Sequence, residues 1–297
     1  MKPSIIFSIS GGIGKVVMST AVVKAIAKKY PDHNIITVSG YPDVFLGNQQ
    51  VYRSFGFGQL SYFYSEYVEN KDVKVFAHDP YLETSFIHQD SHVIKIWCEM
   101  FGIPYNGELP EIFLTDREKN FHAQKFGSDK PILLMQTNGG ADNQALKYSW
   151  ARDIPTSVVS EVVNEFSQDY NIVHIKREDQ ISYMGTTPVS DTFRAIVVLI
   201  SMSQKRLFMD SFAQHTAASM SLPSTVLWVA NKPEVFGYDI HHNIVANPYT
   251  QQPELKGSYL QKFDITGDPT QFPYNSEAEI FDAAKVIESL KGEATPM

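Results

Sequence analysis

Ser10-Gly11-Gly12-Ile13-Gly14-Lys15 follows an apolar run, Ile5-Ile6-Phe7-Ser8-Ile9, and precedes apolar residues at helical spacing, Val16, Val17, Val23, Ile26 and Ala27. A strand therefore runs through a glycine turn straight into a helix. Three glycines within four positions admit positive φ and close approach of backbone or ligand. The helix start behind them offers unpaired N–H groups and a partial positive charge. Such a turn is a seat for a phosphate or a polar substrate; its competing reading is a plain strand-to-helix connection. It is not a P-loop, which needs glycine at Ile9 and Ser or Thr at Val16. Nor is it the dinucleotide fingerprint, whose third glycine position holds Val17.

Outward from this turn the chain alternates strands and helices. Tyr30-Pro31-Asp32 stops the first helix, and Ile35-Ile36-Thr37-Val38 is the next strand, completing a βαβ unit. Residues 41–58 lack a clean period and read as loop with a short strand near Val51-Tyr52. Val73 to Ala77 is a strand closed by His78-Asp79-Pro80, and Ser91 to Phe101 a helix. The pattern breaks at Phe126-Gly127-Ser128-Asp129-Lys130-Pro131, which predicts two domains, residues 1–127 and 128–297.

A second series starts with Ile132 to Met135 and empties into a polar loop, Gln136-Thr137-Asn138-Gly139-Gly140-Ala141-Asp142-Asn143. A helix from Thr156 to Gln168 follows, then strand Ile172 to Ile175 with Lys176 at its end, then a helix from Asp191, its predicted N-cap, to Met202. Strand 206–209 leads through Asp210-Ser211 into a helix from Ala213 to Met220, Thr225 to Val229 is a further strand, and Ser276 to Leu290 is a final helix. Each half reads as its own doubly wound parallel α/β sheet.

The 297 residues carry 43% hydrophobic and 20% charged residues, as in a soluble globular protein. No apolar run reaches the length of a membrane span and no secretory leader is legible, so no transmembrane segment is expected. A single cysteine, Cys98, permits no internal disulfide and fits a cytoplasmic location. The net charge of −8 opposes non-specific nucleic-acid binding. Lys24, Lys28 and Lys29 are a basic cluster on the first helix, read either as a solvated face or as a nucleic-acid contact.

Three patterns resemble one family. Gly11-Gly12-Ile13-Gly14-Lys15-Val16-Val17-Met18-Ser19-Thr20-Ala21-Val22-Val23-Lys24-Ala25-Ile26, running on to Tyr30-Pro31, is similar to the N-terminal signature of the heptosyltransferase-like glycosyltransferase family 9. Lys147-Tyr148-Ser149-Trp150 resembles the lysine-tryptophan segment of that family's donor domain. Asp210-Ser211-Phe212-Ala213-Gln214-His215-Thr216-Ala217-Ala218, with Leu222-Pro223-Ser224-Thr225-Val226, is similar to its aspartate, hydroxyl residue and histidine at a helix start. The resemblance implies the GT-B architecture, two Rossmann-like domains facing across a cleft, and an inverting, metal-independent transferase. The N-terminal domain would bind a saccharide or lipopolysaccharide-core acceptor and the C-terminal one a nucleotide-diphosphate sugar.

Expected donor-binding residues are Thr137, Asn138, Gly139, Lys147, Lys176, Asp210, Ser211, Phe212, Ala213, Gln214 and His215; Gly11, Gly12, Gly14 and Lys15 are expected to bind acceptor. The residue after the last glycine is usually an aspartate in the family, taken as the general base, whereas here it is Lys15. A lysine with an ordinary pKa near 10 is protonated at neutral pH and cannot take a proton unless burial lowers that value. The base is therefore assigned to Asp79, with His78, Asp43 and Glu83 in reserve, and Lys15 is left either as a holder of an anionic acceptor or as a catalytic group. No metal site, no cofactor and a monomer or weak oligomer are expected. Two rival readings stand beside this one: a viral-type transferase acting on hydroxymethylated DNA, and a non-catalytic sugar-nucleotide-binding protein.

Overall fold

The computed structural model describes residues 2–58, 61–139, 152–229, 231–250 and 272–292. Its internal contacts divide the chain into two compact units, Met1–Lys119 and Asn120–Met297. Lys147 and the Lys147 to Trp150 segment lie outside the described residues, as does the polar loop beyond Gly139.

In the first unit β1 (Ser4–Ile9), α1 (Ile13–Lys29), β2 (Asn34–Ser39), β3 (Val51–Gly56), α2 (Phe63–Tyr67), β4 (Val73–Phe76), α3 (Thr84–Ile87) and α4 (Val93–Met100) follow in order. The four strands are parallel in the order β3-β2-β1-β4. Strand order reverses between β1 and β4, so the turns leaving these two strands emerge side by side at the carboxyl edge. β1 is buried on both faces, with Ile5, Phe7 and Ile9 fully inaccessible, and reads as a continuous apolar run for that reason. α1 lies almost entirely inside: Val16, Val17, Ala21, Val22, Val23 and Ile26 are all inaccessible. Phe7 meets Trp97 of α4 edge-on at 5.3 Å and Phe101 at 5.7 Å. The segment predicted as mostly loop contains the whole of β3, an edge strand whose aromatic residues do not alternate cleanly.

α5 (Asp116–Phe126) spans the division between the units. Beyond it come β5 (Ile132–Gln136), α6 (Thr156–Phe166), β6 (Asn171–Ile175), β7 (Thr187–Val189), α7 (Phe193–Met202), β8 (Lys205–Met209), α8 (Phe212–Ser219), β9 (Thr225–Trp228), α9 (Pro233–Phe236), β10 (His242–Val245) and α10 (Ala283–Gly292). Six parallel strands in the order β10-β9-β8-β5-β6-β7 repeat the doubly wound topology, with the reversal between β5 and β8. Leu133 and Met135 pack with Val158 and Val162 of α6 and Val286 and Leu290 of α10. Ile132 and Leu134 face the other way, onto Ile196 and Leu199 of α7 and Ala213 and Ala217 of α8. That alternation places one apolar layer on each side of the sheet.

Two helix starts differ from expectation. The N-cap of α7 is Thr192, whose hydroxyl accepts the Ala195 N–H, because Asp191 is engaged by the Thr192 N–H at 2.7 Å and by Lys125. The final helix starts at Ala283: Glu277–Glu279 is a separate 3₁₀ turn, and Asp282 accepts the Ala284 N–H at 3.0 Å where the Val286 and Leu290 spacing begins.

The basic cluster on α1 is largely neutralised within its own unit. Lys24 pairs with Glu111, Lys28 with Glu108 at 2.7 Å, and Lys29 donates to the Gly102 carbonyl. Thr20, fully buried, accepts the Glu111 N–H at 2.8 Å and so pins the same segment to α1. Thr20→Val is nearly isosteric and more apolar, yet it strands that N–H, so urea unfolding is expected to show a loss of about 1–2 kcal/mol; unchanged or raised stability would show that the bond does not hold the segment.

Candidate functional site

Each unit carries its own cluster of polar residues at the carboxyl edge of its sheet. In the first unit Gly11 has φ of 99° and is the one glycine of the turn in the left-handed region. Gly12 is extended and caps α1, and Gly14 lies in the helix's first turn, so the expectation of positive φ holds only at Gly11. A Cβ at Gly11 would sit 3.1 Å from Cδ of Lys15. The Lys15 side chain thus folds back beneath the turn, and glycine is required there for space as well as for φ.

Lys15 is buried, with its side chain 4% exposed, and Nζ lies 2.6 Å from Oδ1 of Asp79. It sits over the ring of Tyr81 at 4.4 Å and near that of Trp97 at 5.6 Å. Burial pulls the ammonium below its usual pKa, while the hydrogen bond and charge of Asp79 oppose the shift. Asp79 caps the 3₁₀ turn Pro80–Leu82 by accepting the Tyr81 N–H at 3.0 Å. Both contacts use Oδ1, and 31% of the side chain remains exposed. The structure brings Lys15 and Asp79 together; His78 beside them is exposed, as is Asp43 on the 3₁₀ turn Pro42–Phe45.

In the second unit the chain leaving β5 is clamped to the chain entering α6. Asn138 bridges Asp153, the Gly139 N–H donates to the Arg152 carbonyl at 2.8 Å, and the Ile154 N–H to the Thr137 carbonyl at 2.8 Å. Gly139 lies so close to the turn after β8 that a Cβ would be 2.8 Å from the Asp210 carbonyl oxygen. Arg152 closes the gap: Nη2 donates to the Asp210 carbonyl at 2.5 Å and lies 3.4 Å from its carboxylate, while Nε is buried with no partner among the described residues. Asn231 donates to the Asp210 carboxylate. Ser211 precedes α8 without a side-chain capping bond, and its hydroxyl is buried without a partner among the described residues.

The other expected donor residues are placed as follows. Phe212 is half-buried and Ala213 inaccessible at the start of α8. Gln214 and His215 turn inward: Gln214 Nε2 donates to the Phe236 carbonyl at 3.0 Å, and His215 Nδ1 meets the Tyr238 hydroxyl at 2.9 Å. Thr137 is buried with its hydroxyl 2.9 Å from Nε2 of His174, and Lys176 is half-buried after β6. Arg152 was not among the expected residues. Its one local signal is a cation a few residues before the start of α6 at Thr156.

No protein-family model matches the sequence, and no curated protein matches it. Solved structures do. Family 9 glycosyltransferase from Veillonella parvula aligns at a TM-score of 0.65 and 13% identity, over 97% of this chain and 96% of that one. The ADP-heptose lipopolysaccharide heptosyltransferase II of Escherichia coli aligns at 0.69 and 14%, over 97% of each chain. The iron-containing dodecameric glycosyltransferase TibC of enterotoxigenic E. coli aligns at 0.70 and 12%, over 98% of this chain and 76% of that one. The chain has the heptosyltransferase fold. At this identity the likeness is one of fold, and the expected GT-B class is that of these neighbours.

In this fold both clusters lie where strand order reverses, the position at which open parallel sheets bind ligands. Among the described residues no group of three or more His, Cys, Asp or Glu side chains is arranged to hold a metal, and no helix is long and apolar enough to cross a membrane.

Two buried histidines and the half-buried Asp153 of the second unit have shifted pKa values. Desolvation pulls His174 and His241 down to about 4 and pushes Asp153 up to about 6. An unfolded chain binds two histidine protons from about pH 6.5 downward that the folded one refuses. The folded chain, in turn, takes one at Asp153 between about 6 and 4 that the unfolded chain refuses. Subtraction leaves a net excess of one proton in the unfolded state over that window. Stability is therefore expected to fall with pH below about 6.5, by on the order of 1 kcal/mol per pH unit and proton. Urea midpoints between pH 7.5 and 4.5 check this, and a midpoint that holds or rises overturns it.

Proposed function

We propose that the protein is an inverting glycosyltransferase that moves a sugar from a nucleotide-diphosphate sugar to an acceptor hydroxyl, the second unit binding donor and the first binding acceptor. The observation that carries this reading is the pair of polar groups, Arg152 Nε and Ser211 Oγ, buried without a partner among the described residues at the reversal between β5 and β8, where α8 starts without a side-chain cap. A diphosphate accepts from all three: the guanidinium, the hydroxyl, and the N–H groups at the start of α8. TibC has been solved with ADP-D-β-D-heptose, so ADP and its sugars are the first donors to test here. Lys147, by the family resemblance, and Lys176, at the end of β6, complete the donor set.

The chemistry is a single displacement. The acceptor oxygen attacks the anomeric carbon, its proton passes to Asp79, the bond to the β-phosphate oxygen breaks, and configuration inverts. Departure of the diphosphate needs developing negative charge to be met by fixed positive groups, which Arg152 and the α8 N–H groups supply without a metal or cofactor. Asp79 suits the base because Lys15 and Tyr81 hold Oδ1 in place and leave Oδ2 to receive the proton. Lys15 is thereby a holder of the base, not the anion-binding group. The enzyme works as a monomer or weak oligomer in the cytoplasm. The DNA-modifying reading is disfavoured because the lysines of α1 that it requires are engaged by Glu108, Glu111 and Gly102. The non-catalytic reading is disfavoured by the presence of a held carboxylate at the acceptor edge.

Two measurements test this reading. Arg152→Gln is expected to weaken ADP binding in calorimetry about ten- to a hundredfold, the loss of a charged hydrogen bond worth about 1.5–3 kcal/mol; unchanged affinity in a folded variant overturns the donor site. Asp79→Asn is expected to lose transfer by about a hundredfold or more with donor affinity intact, and full activity in that variant removes Asp79 as the base.

A further inference from the structure

The parallel sheet of the first unit sends four turns out of one edge, those after β3, β2, β1 and β4 in spatial order. Among the described residues of these turns and the short helices that continue them (10–15, 40–50, 57–66 and 77–90), Lys15 is the sole lysine or arginine. Its charge is cancelled by Asp79. Asp43, Glu66, Glu83 and Asp90 remain, so the edge is negative. A phosphorylated or otherwise anionic acceptor arriving there meets like charge and no free cation, which acts against it as a partner.

The same edge exposes aromatic rings. Tyr41 follows β2 and is 39% exposed; Phe57 follows β3 and Tyr62 starts α2, each at 50%. Exposed rings scattered singly are ordinary; these three are set apart by standing on turns that leave the neighbouring strands β2 and β3 at one sheet edge. Strands about 4.8 Å apart make the row from the β3 turn to Asp79 about 15 Å long, the span of a short oligosaccharide. A pyranose ring has an apolar C–H face that lies flat on an aromatic ring, while its hydroxyls are satisfied by carboxylates and water.

Resting on the glycosyltransferase reading above, we propose that the acceptor is a neutral, unphosphorylated saccharide whose rings lie on Tyr41, Phe57 and Tyr62 with the receiving hydroxyl at Asp79.

The test is a glycan array probed with the fluorescently labelled full chain, holding neutral, phosphorylated and sialylated glycans and hydroxymethylated duplex DNA, at 50 and 500 mM NaCl. Expected is retention on neutral glycans that changes less than twofold with salt and falls tenfold or more in Tyr62→Ala and Phe57→Ala, surface changes that leave the core untouched. Retention only on anionic probes, collapsing in high salt, overturns the proposal; so does retention on no glycan at all, or equal retention in both variants. Sedimentation of the same proteins identifies a rival occupant: a wild-type dimer abolished by Tyr62→Ala assigns the rings to a second copy and overturns the saccharide. ADP and ADP-sugar calorimetry is run alongside. Donor binding without glycan binding sinks this inference alone, whereas loss of both sinks the transferase reading.

Discussion

An ammonium taken out of water must find a counter-charge or lose its proton, and in the first unit that requirement is met across the reversal of a parallel sheet. Lys15 enters the interior because Gly11 leaves room beneath the turn. Its partner, Asp79, is supplied by the strand that pairs with β1 on the far side of the reversal. Two turns that would otherwise be independent loops are tied by one ion pair 2.6 Å long and roofed by Tyr81. Such a pair contributes little net stability once desolvation is counted, but breaking it strands a buried charge. Its value is positional: the carboxylate is held at one oxygen and exposed at the other.

The second unit solves the same geometric problem by close contact together with charge. The reversal between β5 and β8 brings two turns so close that only a glycine fits at position 139. Arg152 then spans both turns, with its guanidinium on the backbone and carboxylate of Asp210. A cation fixed by the fold itself costs no reorganisation when a ligand's charge appears. The inward commitment of Gln214 to the Phe236 carbonyl at the end of α9 and of His215 to the Tyr238 hydroxyl anchors the first turn of α8.

How much of this was legible in the sequence follows from range. Strands β1, β2, β5, β6, β8 and β9 announced themselves because a strand buried on both faces is largely an apolar run, read from a few adjacent residues; β4, whose Lys74 and Val75 are exposed, was read from its Val and Phe residues and the His78-Asp79-Pro80 stop. β3 was half missed because an edge strand is exposed and its aromatics obey no period. The α7 cap was misplaced by one residue because Asp191 and Thr192 are both good caps, and Lys125, 66 residues away, decides between them. The site was read in the same proportion. Its location after β1, β4, β5 and β8 followed from topology, and Asp79 was named from its place at a strand end. That Lys15 is buried and spent on Asp79, and that Arg152 reaches Asp210, depend on pairings 64 and 58 residues apart, which no local pattern encodes.

A lysine where the family resemblance leads one to expect an acid need not mean lost chemistry. Exchange of an acid for a base at the start of a helix removes one negative charge and adds one positive, which a free surface would tolerate by solvation. Here the side chain is sealed under a glycine turn, so solvation is closed to it and a carboxylate must come to the same point from elsewhere. The β4 turn provides it at the adjoining strand end. This edge thus carries its carboxylate on the β4 turn and the fixed counter-ion at the helix start. Among the described residues of the neighbouring turns the remaining formal charges are the acids Asp43, Glu66, Glu83 and Asp90, and Tyr41, Phe57 and Tyr62 stand exposed. With its single cation cancelled, this edge has no electrostatic hold on an anion, and the contacts left to it are hydroxyl hydrogen bonds and flat apolar faces.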